Sequence, residues 1–312
     1  MIYKNKKDFK PYRKSLFIWR TFSVIALFSI IYIIFNNSEN TFSSKPHIAK
    51  YNITGLLIDA DDIIDDLEKL EFDENVKAII ISIESPGGTT VSAEEIYLKL
   101  RSISITKPTI TIMKNMATSG AYLISLGTDQ ILARENTITG SVGVIFQWAR
   151  IDEGLSKIGI SMNQIKSGKL KAEPDLFGEI DEITQRVSQE LIDDTFRWFM
   201  KIVKERRELK PYQISKVSDG RVFTGRQAYN LKLIDQIGGE REAKFWLIEN
   251  KEIDPDLMII DYEIPNSLNF IELSVAKIMD YFNIRSLYPD GFQKSLSLMS
   301  LDGLVSVWRY PT

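Results

Sequence analysis

A chain of 312 residues and 35.8 kDa is long enough to bury a core as one large domain or two medium ones. Its 44% hydrophobic and 26% charged content excludes a disordered or collagen-like chain. With no cysteine and a single histidine, His47, it excludes disulfide scaffolds, thiol nucleophiles, Cys/His zinc sites and iron–sulfur clusters.

The net charge of -3 hides an asymmetry. Seven basic residues against Asp8 give the first twenty positions +6, so the remainder carries -9. An acidic body of this kind is a poor nucleic-acid binder. Behind the basic segment, Thr21 to Phe35 is uncharged and rich in Ile, Phe and Leu; counted from Leu16 the stretch reaches the roughly 20 residues that cross a bilayer. Arg20 can snorkel and Trp19 suits the interface. The stretch ends in Ile33-Ile34-Phe35-Asn36-Asn37, not in the small residues of a cleavage site, so a signal anchor is expected over a cleaved peptide or a buried helix. The positive-inside rule then puts the N-terminus in the cytoplasm and the body across the inner membrane as a single-pass protein.

The expected organisation is a basic segment (1–15), a transmembrane anchor (16–35), a linker (36–50), an α/β catalytic domain (51–250) and a C-terminal extension (251–312). Within the domain, Ile53–Ile58 predicts a strand, Asp61–Leu70 a helix with acidic residues in its first turn, and Ala78–Ile83 a strand buried on both faces. The turn Ser85-Pro-Gly-Gly88, a helix near 92–102 and the strand 109–113 follow. Apolar runs near Ile131 and at 142–145, a helix at 151–158 and a strand at 161–166 lead to a long helix over 182–208. Its positions Ile183, Val187, Leu191, Trp198 and Ile202 predict one packing stripe. The last fifty residues are aromatic without a clear period.

Chemistry collects where buried strands end. Ser119, in Lys114-Asn-Met-Ala-Thr-Ser-Gly-Ala-Tyr122, is expected at an elbow between strand and helix, where a hydroxyl can act as nucleophile or simply cap the helix. Gly87-Gly88 should emerge on the same sheet edge, with backbone N–H groups suited to an oxyanion hole, or as a plain tight turn. Without an available histidine, the hydroxyl needs a lysine made neutral by burial. Lys114, Lys166, Lys169 and Lys171 are candidates that spacing does not separate. The carboxylates from Asp59 to Asp66 lack EF-hand spacing and read as a solvated helix start.

The stretches Ser85-Pro-Gly-Gly88, Met116-Ala-Thr-Ser-Gly-Ala-Tyr122, Thr139-Gly-Ser-Val-Gly-Val144, Lys166-Ser-Gly-Lys-Leu-Lys171 and Asp219-Gly-Arg-Val-Phe-Thr-Gly-Arg-Gln-Ala228 stand in one order across roughly residues 52–250. Together they resemble the signal peptide peptidase A family of membrane-anchored serine proteases, of the Clp protease and crotonase superfamily. The resemblance implies that fold, with repeated β-β-α or βαβ units, and Ser119 as nucleophile with Lys171 as general base. It implies that Ser141 orients the lysine and that Gly88, with the N–H of Ser119 or Gly120, forms the oxyanion hole. Thr118 and Ala121 stand where the family usually has alanine and glycine, which narrows the pocket. The implied substrates are released signal peptides and other extended hydrophobic peptides, and the implied assembly is a ring-shaped homo-oligomer at the membrane. No metal or organic cofactor is implied. A crotonase-type acyl-CoA enzyme and a non-catalytic membrane scaffold of the same fold are the rival expectations.

Overall fold

The structure, a computed structural model, describes residues 19–25, residues 45–262 and the backbone of 305–307. Residues 19–25 are helical. Most of the expected anchor lies outside the described residues, and among those described no helix is long and apolar enough to cross a membrane.

Among the described residues nine strands form one sheet: β1 (His47–Leu57), β2 (Val76–Thr89), β3 (Thr109–Thr118), β4 (Gln130–Ala133), β5 (Ile138–Gly140), β6 (Val222–Thr224), β7 (Gln236–Ile237), β8 (Ile259–Tyr262) and β9 (Val305–Val307). The helices are α1 (Asp61–Phe72), α2 (Thr90–Thr106), α3 (Gly120–Ser125), α4 (Asp152–Lys157), α5 (Glu182–Arg207), α6 (Pro211–Val217), α7 (Gly225–Asn230) and α8 (Glu240–Lys251). The central path β8-β1-β2-β3 is parallel. β4 pairs with the first half of β3 and β5 with its last three residues, while β6 returns antiparallel on β5.

The apolar run in β2 is buried on both faces because each face has its own helical cover. Ile79, Ile81 and Ile83 enter one core with Leu67 and Leu70 of α1, Ile96 and Leu100 of α2 and Phe199 of α5. Ala78 and Ile80 point the other way, into a second core with Ile110, Leu132 and Leu247 of α8. Alternate side chains of a strand face opposite sides, so one unbroken apolar run serves two layers. The body is thus the expected α/β domain.

Several expectations change. β1 starts at His47, inside the expected linker. The Pro-Gly-Gly segment is no turn: β2 runs through it to Thr89. Residues 161–166 form no strand, and the chain from 141 to 181 carries little regular structure beyond α4. The stripe on α5 divides, with Ile202 in the core but Ile183, Val187 and Leu191 exposed. Only the second half of the helix contributes apolar side chains to the core.

Candidate active site

Parallel strands deliver their C-terminal ends to one edge of the sheet, the usual position of α/β sites. Ser85 is in register with Ala117, and the Thr118 hydroxyl donates to Pro86 O at 3.1 Å. Gly87 and Gly88 therefore lie beside the end of β3. A Cβ on Gly88 would sit 1.7 Å from Leu57 O, so only glycine lets β2 approach β1 this closely.

Ser119 joins β3 to α3 at φ 58° and ψ -119°, a left-handed position for a non-glycine residue. Such a backbone costs about 1–3 kcal/mol and persists only where its surroundings impose it. Here the Ser119 N–H donates to Gly140 O at 2.8 Å, and Ser119 O accepts from the Leu123 N–H at 3.0 Å. One turn into α3, Tyr122 is fully buried and its hydroxyl donates to Leu233 O at 2.9 Å. Burial raises the Tyr122 pKa, so the phenol stays a donor. Because the Ser119 N–H is already engaged, Gly120 is the remaining candidate donor from this elbow.

Ser141 arrives by the neighbouring strand. Thr118 pairs with Gly140, so Ser119 and Ser141 are the next residues beyond two adjacent strand ends. Gly140 (φ 88°) and Ser141 (φ 52°) make the turn, and the Ser141 N–H donates to Arg221 O at 2.9 Å. Both serines line a cavity of about 430 Å³ whose apolar wall includes Val142, Val144, Ile145, Ile192 and Phe196. Asp219, also on the lining, is bound by the Arg221 guanidinium, which lowers its pKa. The cavity suits an apolar side chain next to a buried hydroxyl.

The lysines divide sharply. Lys166 Nζ is held by Glu173 Oε1 at 2.7 Å and Asp175 Oδ2 at 3.2 Å. The Glu173 hydrogen bond, with help from Asp175, raises the Lys166 pKa, the direction opposite to that of a neutral base. Lys114, Lys169 and Lys171 are exposed. Lys171 lies beyond a tight turn, its N–H donating to Gly168 O at 3.1 Å, and is not among the residues lining the Ser119 cavity. The fold thus brings Ser119, Gly120, Ser141 and Gly88 to one edge and leaves Lys171 on an exposed arm. His47 is buried where β1 pairs with the first residue of β2, at the opposite end of the sheet, about 30 Å from Gly88 by strand rise.

Sequence reasoning missed Ile192 and Phe196, which close the cavity from α5. Their spacing of four on one helix face was the available signal.

The family model described as Peptidase family S49 matches residues 101–254, a span that holds Ser119, Ser141 and Lys171. The slr0021 protein of Synechocystis sp. is 34% identical over 221 residues, 70% of this chain and 79% of that protein. Protease 4 of Haemophilus influenzae is 34% identical over 206 residues, 63% of this chain and 33% of that protein. The chloroplastic serine protease SPPA of Arabidopsis thaliana is 28% identical over 193 residues, 61% of this chain and 28% of that protein. The chain therefore spans about a third of the length of those two proteases and most of the length of the first relative. A serine at a strained strand end, in a span that aligns with protease relatives, places this chain in peptidase family S49, the signal peptide peptidase A family of serine proteases.

Proposed function

We propose that the protein is a membrane-anchored endopeptidase that works through a Ser119–Lys171 dyad on extended hydrophobic peptides, signal peptide remnants among them. The observation that carries this reading is the buried Ser119 elbow, opening into a cavity with an apolar wall that it shares with Ser141. The Lys171 amine takes the hydroxyl proton as Ser119 Oγ attacks the peptide carbonyl. Backbone N–H groups at Gly88 and Gly120 receive the oxyanion, and the resulting ammonium returns the proton to the leaving amine. Water then attacks the acyl-enzyme, with Lys171 again taking the proton. Ser141 holds the amine in line.

The exposure of Lys171 agrees with a base supplied to a neighbouring subunit in a ring. A lysine can act as a base only where its surroundings remove water from it, and a subunit contact over the exposed arm would do so. The apolar stretch between positions 16 and 35, with Arg20 as its one charge, supplies the anchor.

Ser119→Ala and Lys171→Ala are each expected to lower kcat on a fluorogenic apolar peptide by at least about 10³-fold, since a nucleophile and its base act as a unit. A fluorophosphonate should label the parent chain and not the Ser119→Ala variant. Substantial turnover by Lys171→Ala would remove the dyad, and labelling of a serine other than Ser119 would remove the nucleophile.

A further inference from the structure

Among the described residues, none between 143 and 195 enters either core of the domain. The arm that carries Lys171 therefore has no packing against a core to fix its course, and its order comes from polar contacts. At its root the Ile151 N–H donates to Leu176 O at 2.9 Å, and Arg150 pairs with Glu179 at 3.2 Å. Within that root Lys166 opens a loop that Glu173 and Asp175 close, its Nζ lying 2.7 Å from one carboxylate and 3.2 Å from the other. These three side chains are only 19, 22 and 20% exposed, although the arm itself is open to solvent. The carboxylates are held in turn, Glu173 by the Asp175 N–H at 3.3 Å and Asp175 by the Phe177 N–H at 2.8 Å. Between the two ends the chain turns tightly. The Lys171 N–H donates to Gly168 O at 3.1 Å, the Glu173 N–H donates to Leu170 O at 3.3 Å, and Ala172 stands at φ 59°. Lys171 thus sits inside a loop whose ends are tied by one bridging ammonium.

We propose that Lys166, Glu173 and Asp175 are positioning residues that hold the loop 166–175 in the shape that presents the Lys171 amine to a Ser119 hydroxyl. The inference rests on the Ser119–Lys171 dyad. A base acts only within hydrogen-bond reach of the proton it takes, and a displacement of about 1 Å costs on the order of 10²-fold. A lone surface ion pair would hold the loop weakly. An ammonium shared by two carboxylates, each also accepting a backbone N–H, holds it as a network. Bound in this way Lys166 stays charged and takes no proton from the reaction. The loop uses its charge and reach, and leaves the proton transfer to Lys171.

The test measures kcat and KM for an apolar fluorogenic peptide in full-length variants. Lys166→Met keeps an unbranched stem and removes the cation. Lys166→Arg keeps a cation that cannot serve as a base. Glu173→Gln combined with Asp175→Asn removes the acceptors' charge. Lys166→Met and the double variant should each lose about 10- to 10²-fold in kcat with KM unchanged, as for an interaction needed only in the transition state. Lys166→Arg should recover most of that loss, which separates a positioning cation from a general base. In hydrogen exchange the Lys171 and Glu173 amides of Lys166→Met should exchange faster while β2 and β3 stay protected, as for a loosened arm on an intact domain. If Lys166→Met proves unfolded, the double variant decides. Parental kcat in Lys166→Met beside an inactive Lys171→Ala would overturn the positioning role alone, as would Lys166→Arg no better than Lys166→Met. Substantial turnover by Lys171→Ala would overturn the dyad, and the positioning role with it.

Discussion

A methyl group at position 88 would meet the Leu57 carbonyl oxygen at 1.7 Å, and neither backbone can retreat without loosening the β1–β2 pairing beside Ser119. Gly88→Ala is therefore expected to lower stability by roughly 1–3 kcal/mol, the usual range for overpacking. It should also reduce kcat well beyond what the lost folded fraction explains. Denaturant unfolding read alongside kinetics checks this, and full activity with unchanged stability would contradict the close approach. The lysine arm yields a pH prediction. The backbone N–H of Phe177 and then Lys166 lower the Asp175 pKa, so its contribution is present above the ordinary 3.8 and lost as pH falls through the lower folded value. Lys166 is raised, so its contribution is present below 10.5 and lost as pH climbs through the raised value. The clasp should hold across the range between. A carbon-13 carboxyl titration should place the Asp175 midpoint below 3.8, moving upward in Lys166→Met. A midpoint at 3.8 or above in the parent chain would contradict the clasp. At this scale the place of Ser119 beyond a strand end and of Gly87-Gly88 on the same sheet edge was legible, because buried strands fix both. The choice among lysines was not, because it depends on carboxylates seven and nine residues away that engage Lys166 only once the arm has folded.

The helix α5 begins with Asp181 accepting from the Thr184 N–H and carries its apolar residues in two groups with different fates. Phe199 and Val203 are buried in the core, whereas Leu191 is 49% exposed and Ile183 and Val187 are exposed with it. Ile158, Met162 and Ile165 of the arm are exposed as well, and an apolar helix face left open is what a subunit contact would cover. Leu191→Glu should thus change the stability of the single chain by no more than about 0.5 kcal/mol, as exposed substitutions do. In sedimentation velocity the same variant should shift the full chain to smaller species. An unchanged sedimentation profile would argue against this face as the contact. The periodicity of α5 was readable in the sequence, but the direction its first half faces was not, because spacing marks an apolar stripe without naming what covers it. Similarly, residues 161–166 suggested a strand that does not form, while Pro-Gly-Gly suggested a turn where β2 continues. There the glycines serve a close backbone approach rather than a reversal of the chain.

For the molecule as a whole, one mostly parallel sheet gathers a strained serine, a second serine and a glycine pair at a single edge, and carries an exposed lysine arm that does not line the Ser119 cavity. The α/β class and the site edge followed from apolar runs and motif order. The antiparallel return of β6 on β5 and the C-terminal strand on β2 did not, since three-residue strands leave almost no periodic signal. If each site joins Ser119 of one subunit to Lys171 of the next, two inactive variants can repair each other. The most direct measurement is peptide cleavage by a ring assembled from equal amounts of Ser119→Ala and Lys171→Ala subunits. Random mixing of a closed ring should restore about a quarter of the sites. Recovery near that fraction is the predicted result; continued inactivity, with co-assembly demonstrated by pull-down, would contradict a shared Ser–Lys site.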